Sequence, residues 1–225
     1  MRRNLLIISL ISSILVALIA ALPISAASAQ SLAAQTQSSG MELAAVVMAL
    51  QLLALVYTGV MFVRVWRSDA PVAVPSLPAW LDVLTPALTI IGLGVAGYLT
   101  YVETQAVPAV CGPVGDCNAV QSSSYALLFG VLPVGLLGAA GYVAILVAWL
   151  WGRFRSDRLA DYAPLAILAM TVFGVLFSVY LTWLELFVIR AVCMWCLTSA
   201  VIMAVLMLLS TPPALASFAP EPDAS

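Results

Sequence analysis

APLAILAMTVFGVLFSVYLTWLELFV, residues 163–188, runs 26 residues with one charge, and after Ile189 and Arg190 comes AVCMWCLTSAVIMAVLMLLS, residues 191–210, with none. A helix rising about 1.5 Å per residue needs roughly 20 apolar residues to cross the hydrocarbon of a bilayer. Both stretches meet that length, so the pair reads as two successive membrane spans, with the C-x-x-C of Cys193 and Cys196 at the handover. Further apolar stretches precede them at about Leu43–Val63, Val83–Tyr101 and Tyr125–Trp151. The expectation is an all-α membrane protein with a four-helix transmembrane bundle preceded by one additional helix.

Composition agrees. Of 225 residues, 64% are apolar and 8% charged, where an ordinary soluble domain carries about 25% charged residues. Eight arginines, no lysine and a net charge of −2 leave no basic surplus for phosphate, so nucleic acid is excluded as a partner. The chain has no histidine, which excludes His-based triads, His-ligated haem and His-containing zinc sites. Redox or nucleophilic chemistry falls to four cysteines, Cys111, Cys117, Cys193 and Cys196.

Arginine placement sets the expected orientation. Arg64 and Arg67 follow the first span, and Arg153, Arg155 and Arg158 fill the turn between the third and fourth, so both regions are assigned to the cytoplasm. Arg2 and Arg3 agree, and Arg190 is the exception. By alternation all four cysteines face outward. At the N-terminus, Arg2 and Arg3, the uncharged run Leu5–Leu22 and Ala27-Ser28-Ala29 read as a signal peptide cut after Ala29, or as an uncleaved signal anchor. The expected divisions are 1–29 for that segment, 30–40 an exported linker, 41–67 the additional helix, 68–79 a Pro-rich cytoplasmic linker, 80–211 the four-helix catalytic bundle and 212–225 a cytoplasmic tail. Trp66, Trp80, Tyr101, Trp149, Trp151, Trp183 and Trp195 fall near span ends, where an interfacial aromatic belt is the default role.

The bundle carries an internal repeat. Tyr98-Leu99-Thr100-Tyr101-Val102-Glu103 returns 82 residues later as Tyr180-Leu181-Thr182-Trp183-Leu184-Glu185, and each Glu is followed eight residues on by Cys111 or Cys193. Gly92 and Gly174 share the same offset. Each half is therefore helix, cysteine pair, helix, in the manner of a parallel repeat, and the two pairs converge at one end of the bundle. Glu103 and Glu185 are expected at the interface, marking where water begins.

At the start of an apolar helix, Cys193 has the partial positive charge of a helix N-terminus and Arg190 nearby, both favouring a reactive thiolate. Cys196 lies one turn deeper on the same side. Cys111 and Cys117 bracket a Gly- and Pro-punctuated loop able to present either sulfur; an inert disulfide brace and a four-thiolate metal site are the alternatives. Ser122, Ser123 and Ser124 precede the next span. Capping that helix is the default for Ser122 and Ser124, and one hydroxyl is placed to meet a carbonyl ligand.

With both motifs in place, CGPVGDCNAVQSSSYALLFG (residues 111–130) and YLTWLELFVIRAVCMWC (residues 180–196), the chain resembles the vitamin K epoxide reductase family in its bacterial, quinone-linked form. The resemblance covers about residues 80–210. It implies a four-helix bundle holding a quinone, menaquinone or ubiquinone, near the C-x-x-C. In it Cys196 is the quinone-side thiol, Cys193 exchanges with Cys117, Cys111 meets an external protein and Ser123 contacts the quinone carbonyl. It also implies a thiol–disulfide oxidoreductase of the bacterial inner membrane, its site facing the periplasm or exterior. Such an enzyme re-oxidises a separate thioredoxin-fold protein and so supports disulfide formation; only Thr211–Ser225 follows the last span, with no fused thioredoxin-like domain. Ala200 stands where animal members carry tyrosine, which counts against epoxide-like substrates. The rival readings are reduction of a quinone or its epoxide by external thiols, and a non-enzymatic membrane protein braced by disulfides.

Overall fold

The computed structural model describes residues 26–67, 83–112 and 114–217. The N-terminal segment before Ala26, the linker 68–79 and Trp80 lie outside these residues. The chain divides into two compact units, residues 1–36 and 37–225. In the first, the described residues 26–36 are helical; the second holds the membrane-crossing helices and all four cysteines.

Five helices are long and apolar enough to cross a membrane among the described residues: Gln37–Arg67, Leu84–Gln105, Val134–Phe154, Ala163–Ile189 and Met194–Ala216. This is a multi-pass membrane protein. In chain order the elements are α1 (Ala26–Arg67), α2 (Leu84–Gln105), the short α3 (Cys117–Gln121), the strands β1 (Leu127–Leu128) and β2 (Leu132–Pro133), α4 (Val134–Phe154), the short α5 (Arg158–Asp161), α6 (Ala163–Trp183) with a π-helical turn Leu184–Ile189, and α7 (Met194–Ala216). Residues 30–40, expected as a linker, are thus helical within α1.

Four of these helices close a bundle in which α2 packs on α4, α4 on α6, α6 on α7 and α7 back on α2. Its core is built from Tyr142, Ile145, Val175, Leu206 and Met207. Small residues set the spacing. A Cβ at Gly92 would overlap the Tyr142 ring, so the glycine lets Tyr142 pass beneath α2 and bring its hydroxyl 3.0 Å from Ser199 Oγ on α7. The additional helix α1 lies against this bundle: Ala44 and Val47 pack with Leu186, Val192, Leu197 and Ala200. Gln51 Nε2 donates to the Ala200 carbonyl at 3.3 Å, and the Thr58 and Thr211 hydroxyls meet at 3.2 Å.

Two boundaries differ from expectation. The third span starts at Val134, not Tyr125, because Phe129 and Gly130 both adopt left-handed backbone (φ 56° and 72°) that no α-helix accommodates. With Val131, those two residues form the three-residue turn of a small hairpin pairing Leu127 with Pro133 and Leu128 with Leu132. At the other end, α7 continues through Pro212 and Pro213 to Ala216. The Ser210 and Thr211 hydroxyls both donate to the Met207 carbonyl there, at 3.0 and 2.8 Å, supplying local hydrogen bonding just before the two prolines.

Candidate active site

The two cysteine motifs meet at one end of the bundle, and local chain geometry explains how. Left-handed Ala106 ends α2, and the following loop is bracketed by Asn118, whose side chain accepts from Ala109 N at 2.7 Å and donates to Ala109 O at 3.3 Å. Val110 is held from both sides: its N–H donates to the Tyr98 hydroxyl at 2.7 Å and its carbonyl accepts from Trp195 Nε1 at 2.8 Å. The Tyr98 and Trp195 rings lie 4.7 Å apart, so Trp195 latches the loop. Gly115 takes a positive φ of 85°, where a Cβ would overlap the Val192 carbonyl. Asp116 then donates its N–H to that carbonyl at 2.9 Å, and its carboxylate caps α3 by accepting from Ala119 N at 3.1 Å.

These anchors set the four sulfurs in a row. Cys111 is half-buried, while Cys117 and Cys193 have no exposed surface. Cys117 N donates to Cys111 Sγ at 3.1 Å, and the thiols of Cys111 and Cys117, of Cys117 and Cys193, and of Cys193 and Cys196 interact in turn as hydrogen-bond partners. Cys193 is the N-cap of α7, its sulfur accepting from Cys196 N at 3.3 Å. Cys196 lines a cavity of about 210 Å³ between α2, α4, α6 and α7. That exceeds the roughly 150 Å³ of an apolar cavity that holds benzene, and the walls are largely apolar with a few polar groups, as ligand sites are.

Electrostatics at Cys193 run opposite to expectation. Its contact with Cys117 favours the thiolate, but Cys196, burial and the Glu185 carboxyl outweigh it and hold the thiol well above its usual range. A helix N-terminus contributes at most about 2 kcal/mol, whereas full burial shifts such groups by up to about 3–5 pKa units. Arg190 is exposed, so the charged neighbour of this sulfur is Glu185 rather than a cation. Contact with Cys193 and then burial push the Cys117 thiol far up. Burial, followed by the Cys117 thiol, raises Cys111 from 9.0 to about 11.

Ser123 lines the cavity, but its hydroxyl donates to the Val120 carbonyl at 2.7 Å. Ser122 closes the C-terminal end of α3. The serines therefore do not cap the third span, whose N-cap is Pro133. Three cavity residues carry more than their sequence positions suggested. Gln121 Nε2 lies 3.7 Å from Cys193 Sγ and 3.8 Å from Cys196 Sγ, and its Oε1 is buried without a partner among the described residues. Glu103 accepts from Gly135 N at 2.8 Å. Glu185 accepts from Cys193 N at 3.3 Å and is only 2% exposed, so neither glutamate merely marks the water boundary; both face the cavity. The repeat pointed to the two glutamates, whereas nothing in sequence singled out Gln121. A family model described as the vitamin K epoxide reductase family matches residues 83–211, more than half of the 225-residue chain.

Proposed function

The chain belongs to the vitamin K epoxide reductase family, and we propose that it passes electrons from an external thioredoxin-fold protein through its two cysteine pairs to a membrane quinone, menaquinone or ubiquinone. Membership makes it a membrane oxidoreductase of quinone-linked type; the direction of flow, the partner and the disulfide-forming role are the proposal. The observation that carries it is the unbroken row of sulfurs from half-buried Cys111 through Cys117 and Cys193 to Cys196 on the cavity wall.

Each residue has a task. A partner dithiol attacks a Cys111–Cys117 disulfide at Cys111, the more accessible sulfur, and leaves as a disulfide, with Cys111 and Cys117 reduced. Cys117 next attacks Cys193 of an oxidised Cys193–Cys196 pair, releasing Cys196 as a thiol. Cys111 then attacks Cys117 and frees Cys193. Each exchange conserves one disulfide and two thiols, and requires a transient thiolate. A quinone, when bound, supplies the capacity to accept two electrons and two protons. The cavity suits it: apolar walls fit a ring, Cys196 stands against it, and the orphaned Gln121 Oε1 can accept from a ring hydroxyl. Ser123 is proposed as a second polar contact on the ring.

Trapping tests the route. In Cys196→Ala, where the C-x-x-C cannot close, Cys117 and Cys193 are expected to accumulate as a mixed disulfide. In Cys117→Ala, Cys111 is expected to trap a thioredoxin-fold partner. Undiminished quinone reduction by Cys196→Ala, or failure to trap either adduct by mass spectrometry, overturns the relay.

A further inference from the structure

Oxidation of the C-x-x-C dithiol leaves one proton badly placed. Two S–H bonds break, one S–S bond forms, and two protons and two electrons must reach the ring. Cys196 lines the cavity, but Cys193 does not; its sulfur is fully buried against Cys117. The Cys193 proton therefore needs a carrier.

Glu185 has that position. One of its carboxylate oxygens, Cys193 Sγ and Cys196 Sγ all lie within 4.8 Å of one another, and the same side chain lines the cavity. Its neighbours among the described residues are the Cys193 amide and the Cys196 thiol, with no cation. An ionisable group inside a membrane span is costly and marks proton or ion chemistry by default. The chain also departs from α-helix to hold it, in the π-helical turn Leu184–Ile189, a deviation found most often at functional sites. Glu103, across the cavity, bonds Gly135 N instead.

We propose that Glu185 is a catalytic proton carrier between Cys193 and the ring bound in the cavity, an inference that rests on the quinone-reducing function proposed above. The Glu185 carboxylate takes the proton of the Cys193 thiol, and the electron pair left on that sulfur forms the bond to Cys196 as the Cys196 S–H bond breaks and its electron pair passes to the ring. The carboxylic acid then gives the proton to a ring oxygen and returns to carboxylate. The second proton comes from Cys196, so the ring gains two protons and two electrons and the pair becomes a disulfide.

The test uses the full-length protein in lipid nanodiscs, reduced and mixed with menadione in a single turnover. Glu185→Gln, which preserves shape and an acceptor for Cys193 N, is expected to slow dithiol oxidation by about 10²-fold and to enlarge the solvent deuterium isotope effect. A second readout needs no quinone: chemical oxidation of the wild-type dithiol beside Glu185 should shift carboxylate stretching bands in the infrared, a change that Glu185→Gln lacks. Wild-type rate and isotope effect in Glu185→Gln, or no carboxyl change in the wild type, overturns the proton carrier. Failure of the wild type itself to reduce menadione overturns the proposed function instead.

Discussion

At the scale of single residues, thiol–thiol contacts and burial rather than sequence neighbourhood control the thiols. Cys111 titrates in the folded reduced protein at about 11, above its ordinary 9.0, so the folded state holds this proton more tightly than the unfolded chain. The stability that results is fully present below about pH 9, declines as pH rises, and is lost above about pH 11. In thermal melts of the reduced protein in detergent across that window, Tm of the wild type should fall more steeply with pH than that of Cys111→Ala; parallel slopes would refute the assignment. The four sulfurs were legible in sequence as the candidate chemical groups. Their protonation was not, because a helix end and a nearby arginine are visible in the chain whereas the contact of Cys193 with Cys196, its burial and the Glu185 carboxyl beside it are properties of packing. Gln121 is the sharper case: an ordinary polar residue four positions after Cys117 gains its importance from reaching across to both sulfurs of another motif.

At the scale of elements, span existence followed from apolar length, but span ends followed from backbone detail. The hairpin at Leu127–Pro133 interrupts an apolar run whose hydropathy alone continues into the helix, and Phe129 at its turn is 92% exposed. The serines before it close α3 instead of opening α4. Helix spacing depends on glycines that look interchangeable in sequence. Gly92→Ala must displace the Tyr142 ring, and overpacking of this kind costs about 1–3 kcal/mol. For a chain of this length that lowers Tm by about 2–4 °C per kcal/mol. Gly94→Ala, two residues away, adds a Cβ that meets nothing within 4 Å and should leave Tm unchanged or raised through helix propensity. Equal effects of the two substitutions, measured by melts in the same detergent, would reject this account of the α2–α4 contact.

For the whole molecule, the repeat produces a bundle whose halves are alike in sequence and unlike in environment. Glu103 and Glu185 face one cavity from two halves, yet only Glu185 touches sulfur, because the second half carries its cysteines on the bundle helix itself and the first half carries them on a loop. The additional helix is held chiefly by apolar packing. Gln51 donates one hydrogen bond to Ala200, and its own oxygen is buried without a partner among the described residues, while interhelical hydrogen bonds in membranes average about 0.6 kcal/mol. Gln51→Leu is therefore expected to cost less than about 1 kcal/mol, a Tm change of no more than about 4 °C; a collapse of the melt would mean that this one bond holds α1 in place.

Length and hydropathy determined that the chain crosses a membrane as helices, since backbone hydrogen bonds in hydrocarbon are satisfied only by helices or closed barrels and apolar runs of about 20 residues have the length of a spanning helix, about twice that of a spanning strand. The absence of histidine and the two spaced cysteine pairs pointed to the thiols as the candidate chemical groups. Tertiary structure alone decided the order of the sulfurs, the presence of a cavity against Cys196 and the carboxyl beside it. Those depend on contacts between residues far apart in sequence, such as Trp195 on Val110 across 85 positions, and on which groups lose their water when helices close around them. Neither is encoded in any local stretch of the chain.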